Sequence, residues 1–320
     1  GTDIDTVELP PYLPDTEPSR RALARHYDNI ETADQRVGEL LDQLEQDGLV
    51  DNTIVVLWSD HGEGLPRAKR WPYDAGIRIP LIVRWPGRVK AGSVDERLVS
   101  LIDLGPTMLS ITGSLRPRHL QGQPFLGDDT KVRQYIFASR DRHDEAYDRV
   151  RAVRDRRYKY LRHYHPEQPY LPWNPYRNRH PVMAEMWRLY RENALDHDQR
   201  LLFVAPRPVE ELYDTKADPF EMVNLAADPE YQEVLVRLRA ALQDWQARVG
   251  DLGEVAEEEM LRRWWPNGEQ PTTAPVRFVP IAAETPGLEV MSDGSFSAPC
   301  RLQLQCPTQG ASLTYRTGTD

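Results

Sequence analysis

Asp51-Asn-Thr-Ile-Val-Val-Leu-Trp-Ser-Asp60-His61-Gly62-Glu63, followed by Lys69-Arg-Trp-Pro-Tyr73-Asp-Ala-Gly76-Ile-Arg78-Ile-Pro80, is the stretch whose reading decides the fold. β-Branched and apolar residues run from Thr53 to Trp58 and stop at a carboxylate, an imidazole and a glycine. A buried strand that delivers ligands to its C-terminal edge has this pattern. The carboxylate suits a hard divalent cation and the imidazole a borderline one, while Gly62 lets the backbone turn beside them. Eight residues beyond His61, Lys69 brings a mobile ammonium able to neutralise an anion held by such a metal. Metal plus lysine points to an anionic ester. Three residues alone carry little information, however, and a loop cap, a packed histidine and a solvated lysine would also satisfy Asp-His-Gly and Lys69.

Outward from this stretch, Leu23, Tyr27, Ile30, Ala33, Val37, Leu40, Leu41 and Leu44 recur at helical spacing between Pro18 and Gly48, predicting a long amphipathic helix laid on a sheet. Pro80 to Arg84 is a second apolar run. Helix then strand, with ligands at the strand's end, is α/β organisation. Asp103 to Ile111 reads as a short helix closed by Gly113, and Tyr135 to Ala138 as a strand. Arg151–Asp155 and Tyr158–Tyr164 suggest an antiparallel hairpin turning near Asp155-Arg156. Arg140 to Asp144 reads as a polar loop, either a solvated turn or a substrate contact through Arg140 and Arg142. The proline-rich stretch 165–181 carries Tyr170, Trp173, Tyr176 and His180, rings that pin an irregular loop or stack on a sugar. Tyr231 to Val249 is a second amphipathic helix that belongs to the core.

Composition shifts after Gly250. The domain reading is a main α/β unit over 1–250, a linker over 251–286, and an incomplete β-sandwich-like module over 287–320, too short for seven strands. Only two cysteines occur, Cys300 and Cys306; they cannot make a four-ligand zinc site, and whether they pair stays open. A net charge of −10 without a basic tail argues against nucleic acid, and no apolar run is long enough to span a membrane. A local cluster, Arg67, Lys69, Arg70, Arg78 and Arg84, opposes the global charge and suits an anion at short range.

Asp51–Glu63 together with Lys69-x-x-x-Tyr73-Asp-x-Gly76-Ile-Arg-Ile-Pro-Leu-Ile-Val-Arg-Trp-Pro-Gly87 resembles the C-terminal half of the formylglycine-dependent sulfatases of the alkaline phosphatase superfamily. Leu101–Gly113, Val150–Tyr160 and Glu211–Asp228 are similar to later family segments, in the family's order. The closing segment resembles the start of a chitobiase-type β module. The resemblance implies an alkaline-phosphatase-like sheet with flanking helices and a smaller antiparallel subdomain. It also implies a calcium ion bound partly by Asp60 and His61, and Lys69 contacting the sulfate and helping the leaving group. Arg67, Tyr73, Arg140 and Arg142 are further candidates for substrate contact. Export to the periplasm or the extracellular space is implied as well.

The family also has two adjacent aspartates on its first strand and a Cys-x-Pro-x-Arg or Ser-x-Pro-x-Arg signature whose first residue becomes the formylglycine nucleophile. That pair does not stand ahead of Asp51; Thr16-Glu-Pro18-Ser19-Arg20 imitates the signature with threonine at the reactive place. The expectation is therefore a fragment that holds no nucleophile, is inactive alone and is completed by a missing N-terminal half. The complete protein would hydrolyse sulfate esters or sulfamates of a carbohydrate. The rivals are a phosphonate or phosphodiester hydrolase of the same superfamily and a non-catalytic sulfated-glycan-binding pseudoenzyme.

Overall fold

In a computed structural model the described residues are 1–114, 116–117, 119–143, 145–270, 272–280, 302–308, 311 and 313. The chain divides into Gly1–Asp251 and Leu252–Asp320. In the first unit, helix α1 (Glu17–Gln46) starts with Pro18 in its first turn and ends where Asp47 N–H bonds to Gln43 O and Gly48 turns left-handed at φ 68°. Strand β1 (Val55–Trp58) pairs antiparallel with β2 (Leu81–Arg84), Val55 opposite Arg84 and Trp58 opposite Leu81. Between them lies the short helix α2 (Asp74–Ile77), and after them α3 (Leu104–Ile111).

The larger sheet is antiparallel, in the order β3 (Ile136–His143), β4 (Ala146–Arg154), β5 (Tyr158–His163), β6 (Glu210–Asp214). Helices α4 (Pro175–Asn178), α5 (Pro181–Arg191) and α6 (His197–Leu201) lie between β5 and β6, and α7 (Gln232–Val249) follows. Successive side chains of a strand face opposite sides. Val153, Tyr160 and Leu212 pack with Leu235, Leu238 and Leu242 of α7. Ala152, Leu161 and Tyr213, one position along, pack instead in a second cluster with Trp71, Tyr73, Leu23 and Met186. The sheet is thus covered twice, and the loop between β1 and β2 belongs to one of the covers.

Three expectations need correction. Helix α1 meets α5 and, through Leu23 and Ala24, the cluster on one face of the large sheet, but it is not laid along a sheet: only Ser19, Leu23 and Ala24 are buried, and Tyr27, Ile30 and Leu40 of the predicted stripe are exposed. Strand β1 is not buried; Leu57 and Trp58 face solvent, as does Ile82 of β2. Among the described residues of this unit, no layer covers these exposed faces. Arg140 to His143, read as a loop, continues β3, with a register shift between Arg140 and Arg142 that bends the strand.

In the second unit, a stretch read as linker carries helix α8 (Glu257–Trp264), and β7 (Arg277–Pro280) pairs antiparallel with β8 (Leu302–Gln305). Cys306 is a free thiol that donates to Ala274 O at 3.3 Å. Cys300 and most of the stretch read as a β module lie outside the described residues.

Candidate active-site loop

The residues after β1 turn sharply and are held to themselves. Ser59 Oγ–H donates to His61 O at 2.6 Å, Gly62 N–H to Gly76 O at 2.9 Å, and Lys69 N–H to Glu63 O at 2.9 Å. Only glycine fits at Gly62, because a Cβ there would lie 1.9 Å from Ala75 O. His61 Nε2 is 3.6 Å from Asp60 Oδ1, and the Asp60 side chain is 84% exposed. Asp60 and His61 therefore share one open edge, and Lys69, half-buried, stands on a turn tied to Glu63, two residues past His61.

The loop is moored to the large sheet through buried charge. Lys159 of β5, fully buried, places its Nζ 2.5 Å from Asp74 Oδ1 and 2.8 Å from Glu221 Oε1. Glu221 Oε2 accepts from Asp74 N–H at 2.6 Å, and Arg154 pairs with Asp74 at 3.0 Å. Tyr73 OH donates to Glu211 Oε2 at 2.8 Å, and His163 Nε2 lies 3.2 Å from the same oxygen. Burial alone would raise the Glu211 carboxyl; His163, with hydrogen bonds from Tyr170 and Tyr73, outweighs it and holds the group at about 2.

Arg67 and Tyr73, expected at the substrate, belong to this mooring instead. Arg67 donates to Phe220 O at 2.7 Å and Glu221 O at 2.6 Å and lies 3.8 Å over the Tyr73 ring; both side chains are buried. Their donors are spent on the interior, which the sequence could not reveal because their partners lie more than 130 residues away. Arg140 is buried 3.9 Å over Trp71, with Nη1 3.4 Å from Asp148 Oδ2. Arg142 lies beyond the bulge, exposed, opposite Tyr147. Sequence reading did not single out Arg177, nor did it see that Arg67 and Arg70 adopt left-handed backbone, φ 65° and 76°.

The metal expectation meets a limit. Calcium takes six to eight oxygen ligands, and among the described residues no group of three or more His, Cys, Asp or Glu could hold a metal. Asp60 and His61 are two donors, and among the described residues no third His, Cys, Asp or Glu joins them. Ser297-Ala298-Pro299-Cys300-Arg301 has the literal spelling of the nucleophile signature, but it follows the lysine loop instead of preceding it and lies outside the described residues.

A mixed α/β unit with an antiparallel sheet and flanking helices is the architecture of the sulfatases with an alkaline-phosphatase-like fold. The chain belongs to the sulfatase family: residues 7–114 match the Sulfatase family model and residues 62–202 the model described as N-sulphoglucosamine sulphohydrolase, C-terminal. It is 42% identical over 312 residues to the ulvan-active sulfatase of Formosa agariphila, covering 97% of this chain and 50% of that protein. It is 30% identical over 274 residues to human N-sulphoglucosamine sulphohydrolase, covering 80% and 53%. A solved structure in complex with its substrate D-glucosamine-2-N,6-O-disulfate superposes with TM-score 0.50 at 26% identity, covering 71% of this chain and 41% of that one. The chain spans about half the length of the curated relatives it matches.

Proposed function

We propose that this chain is the lysine-bearing half of a sulfatase that hydrolyses sulfate esters or sulfamates of a carbohydrate. The observation that carries the reading is the moored loop, which sets Asp60 and His61 on one open edge and ties Lys69 by its backbone to the residue following Gly62. As the bond to sulfur breaks, negative charge grows on the leaving oxygen, and the Lys69 ammonium stabilises it by a charge-assisted hydrogen bond. A lysine held by a rigid loop needs little reorganisation at that moment. Asp60 and His61 would contribute two ligands to a calcium ion, and the remaining ligands and the formylglycine nucleophile would come from the part of the relatives that this chain does not span. The exposed apolar faces of α1, β1 and β2 support that reading, since they are the surfaces such a part would cover. By the same reading the substrate is a sulfated saccharide met after export. Among the described residues no helix is long and apolar enough to cross a membrane.

Turnover of aryl sulfate against aryl phosphate diester by the complete protein tests the reading. Sulfate release is expected to dominate, and the chain alone is expected to release none. Preference for the phosphate diester would favour the phosphonate or phosphodiester rival. Saturable binding of sulfated saccharide without product would favour a pseudoenzyme.

A further inference from the structure

Arg140 and Arg207 lie over the Trp71 ring and Arg70 over Tyr176, Arg177 is close enough to feel the charges of Arg140 and Arg70, and among the described residues one carboxylate, Asp148, pairs with this group, through Arg140 and Arg207. Arg207 takes that carboxylate in a fully buried bidentate pair, Nη1 to Oδ2 at 3.0 Å and Nη2 to Oδ1. Arg140 reaches the same carboxylate only at 3.4 Å; its side chain is 6% exposed, yet Nε and Nη1 have no hydrogen-bond partner. Arg177 donates to Pro172 O, while its Nε is buried without a partner. Burial, reinforced by neighbouring cations, pushes both groups down to about 10. Arg140 also feels Asp148, which opposes the shift, and Arg207 and Arg70, which add to it; Arg177 feels Arg140 and Arg70. Both stay charged at neutral pH.

Buried guanidinium N–H groups that meet no hydrogen-bond acceptor are costly, and an incoming ligand with acceptor oxygens would satisfy them. With four cations against one carboxylate, that ligand is an anion. Two further observations place it beside the reaction. Arg70 follows Lys69 directly and sits in left-handed backbone at φ 76°, a conformation that costs about 1 kcal/mol or more and gathers at functional sites. Arg70 lies 4.9 Å over the Tyr176 ring, which is 59% exposed, and Trp173 nearby in sequence is 63% exposed, so open aromatic faces of the kind that stack on sugars flank the cations.

We propose that Arg70, Arg140 and Arg177 form a second oxyanion subsite next to Lys69, which takes a carboxylate or a second sulfate carried by the sulfated saccharide. The proposal rests on the sulfatase reading for the identity of the saccharide, but the subsite can be measured without turnover. Bidentate guanidinium–oxyanion pairing with stacked support gives the subsite its preference for flat or tetrahedral oxyanions over neutral hydroxyls.

The test is calorimetric binding to the complete protein in a Lys69→Ala background, so that probes are not consumed. Three probes are compared: N-sulfoglucosamine, glucosamine-2-N,6-O-disulfate, and N-sulfoglucosamine linked to glucuronate. At least one of the two doubly anionic probes is expected to bind tenfold or more tighter than the first, and the one that does identifies sulfate or carboxylate as the second group. Arg70→Gln and Arg177→Gln, both at half-buried positions, should each erase about tenfold of that preference and leave N-sulfoglucosamine within twofold. Absence of any preference, its survival in both variants, or equal weakening of all three probes would overturn the proposal. Sulfate release is assayed separately with Lys69 intact. Release without a second-anion preference sinks the subsite alone, and preference without release sinks the sulfatase reading alone.

Discussion

Replacing Lys159 by methionine removes the cation that joins β5 to the active-site loop. Its ammonium lies 2.5 Å from Asp74 and 2.8 Å from Glu221, and all three side chains are at most 7% exposed. At an effective dielectric of about 20, each contact contributes about 6 kcal/mol of attraction, much of it offset by desolvation. Breaking such a buried group by removing one partner costs about 3–5 kcal/mol, because the other charges stay buried. Asp74 keeps Arg154, whereas the Oε1 of Glu221 loses its cation. Glu221 is already raised above the ordinary carboxylate range, by burial first and by Asp74, with Lys159 holding it down. In Lys159→Met its folded pKa rises further above the unfolded one. A raised group carries its stability below the unfolded pKa and loses it as pH rises through the folded one. The Asp74 part of the loss is present from about pH 4.5 to pH 8, because burial raises that carboxyl and Lys159 is the strongest influence lowering it. The Glu221 part should be small near pH 4.5 and grow to its full size by pH 8, so the deficit increases with pH. Urea unfolding at pH 5 and pH 8 measures it; a deficit below about 1 kcal/mol at pH 8, or one that does not change with pH, would refute the reasoning.

Gly62→Ala should destabilise by about 1–3 kcal/mol or more, since its Cβ would meet Ala75 O at 1.9 Å. Gly38→Ala in α1, with open space around it, should stabilise by about 1 kcal/mol, and thermal unfolding of the pair separates clash from composition. Tyr73→Phe removes one donor from Glu211 and should cost about 1.5–3 kcal/mol. The depressed carboxyl contributes stability in full above about pH 4.5 and loses it as pH falls toward 2. With one donor fewer, acid unfolding should begin at higher pH, which circular dichroism along a pH titration would detect.

Much of the local structure was legible because it is written in short range. Pro18, Gly48 and the apolar spacing between them mark α1, and the runs Arg151–Asp155 and Tyr158–Tyr164 mark the antiparallel pairing of β4 with β5. What covers each element is not local. Tyr27, Ile30 and Leu40 of α1 and Leu57 and Trp58 of β1 read as buried, yet they stay exposed here, since period reports which face is apolar and not whether a layer is present to meet it. The candidate site divides the same way. Asp60, His61 and Lys69 stand close in sequence and share a loop. Arg67 and Tyr73 stand equally close but turn inward, toward Glu221 and Glu211, partners that no window of sequence displays. Arg177 is brought toward Arg70 and Arg140 only by the insertion between β5 and β6.

The most direct measurement is sulfate release from a sulfated saccharide by the complete protein, with Lys69 and with Lys69→Ala. Lys69 is half-buried and its side chain serves no mooring contact described above, so folding should be unchanged while the rate falls by roughly a hundredfold or more. Unaltered release from the alanine variant, or a folded parent protein that frees no sulfate from any sulfated saccharide, would contradict the assignment of this loop to sulfate chemistry.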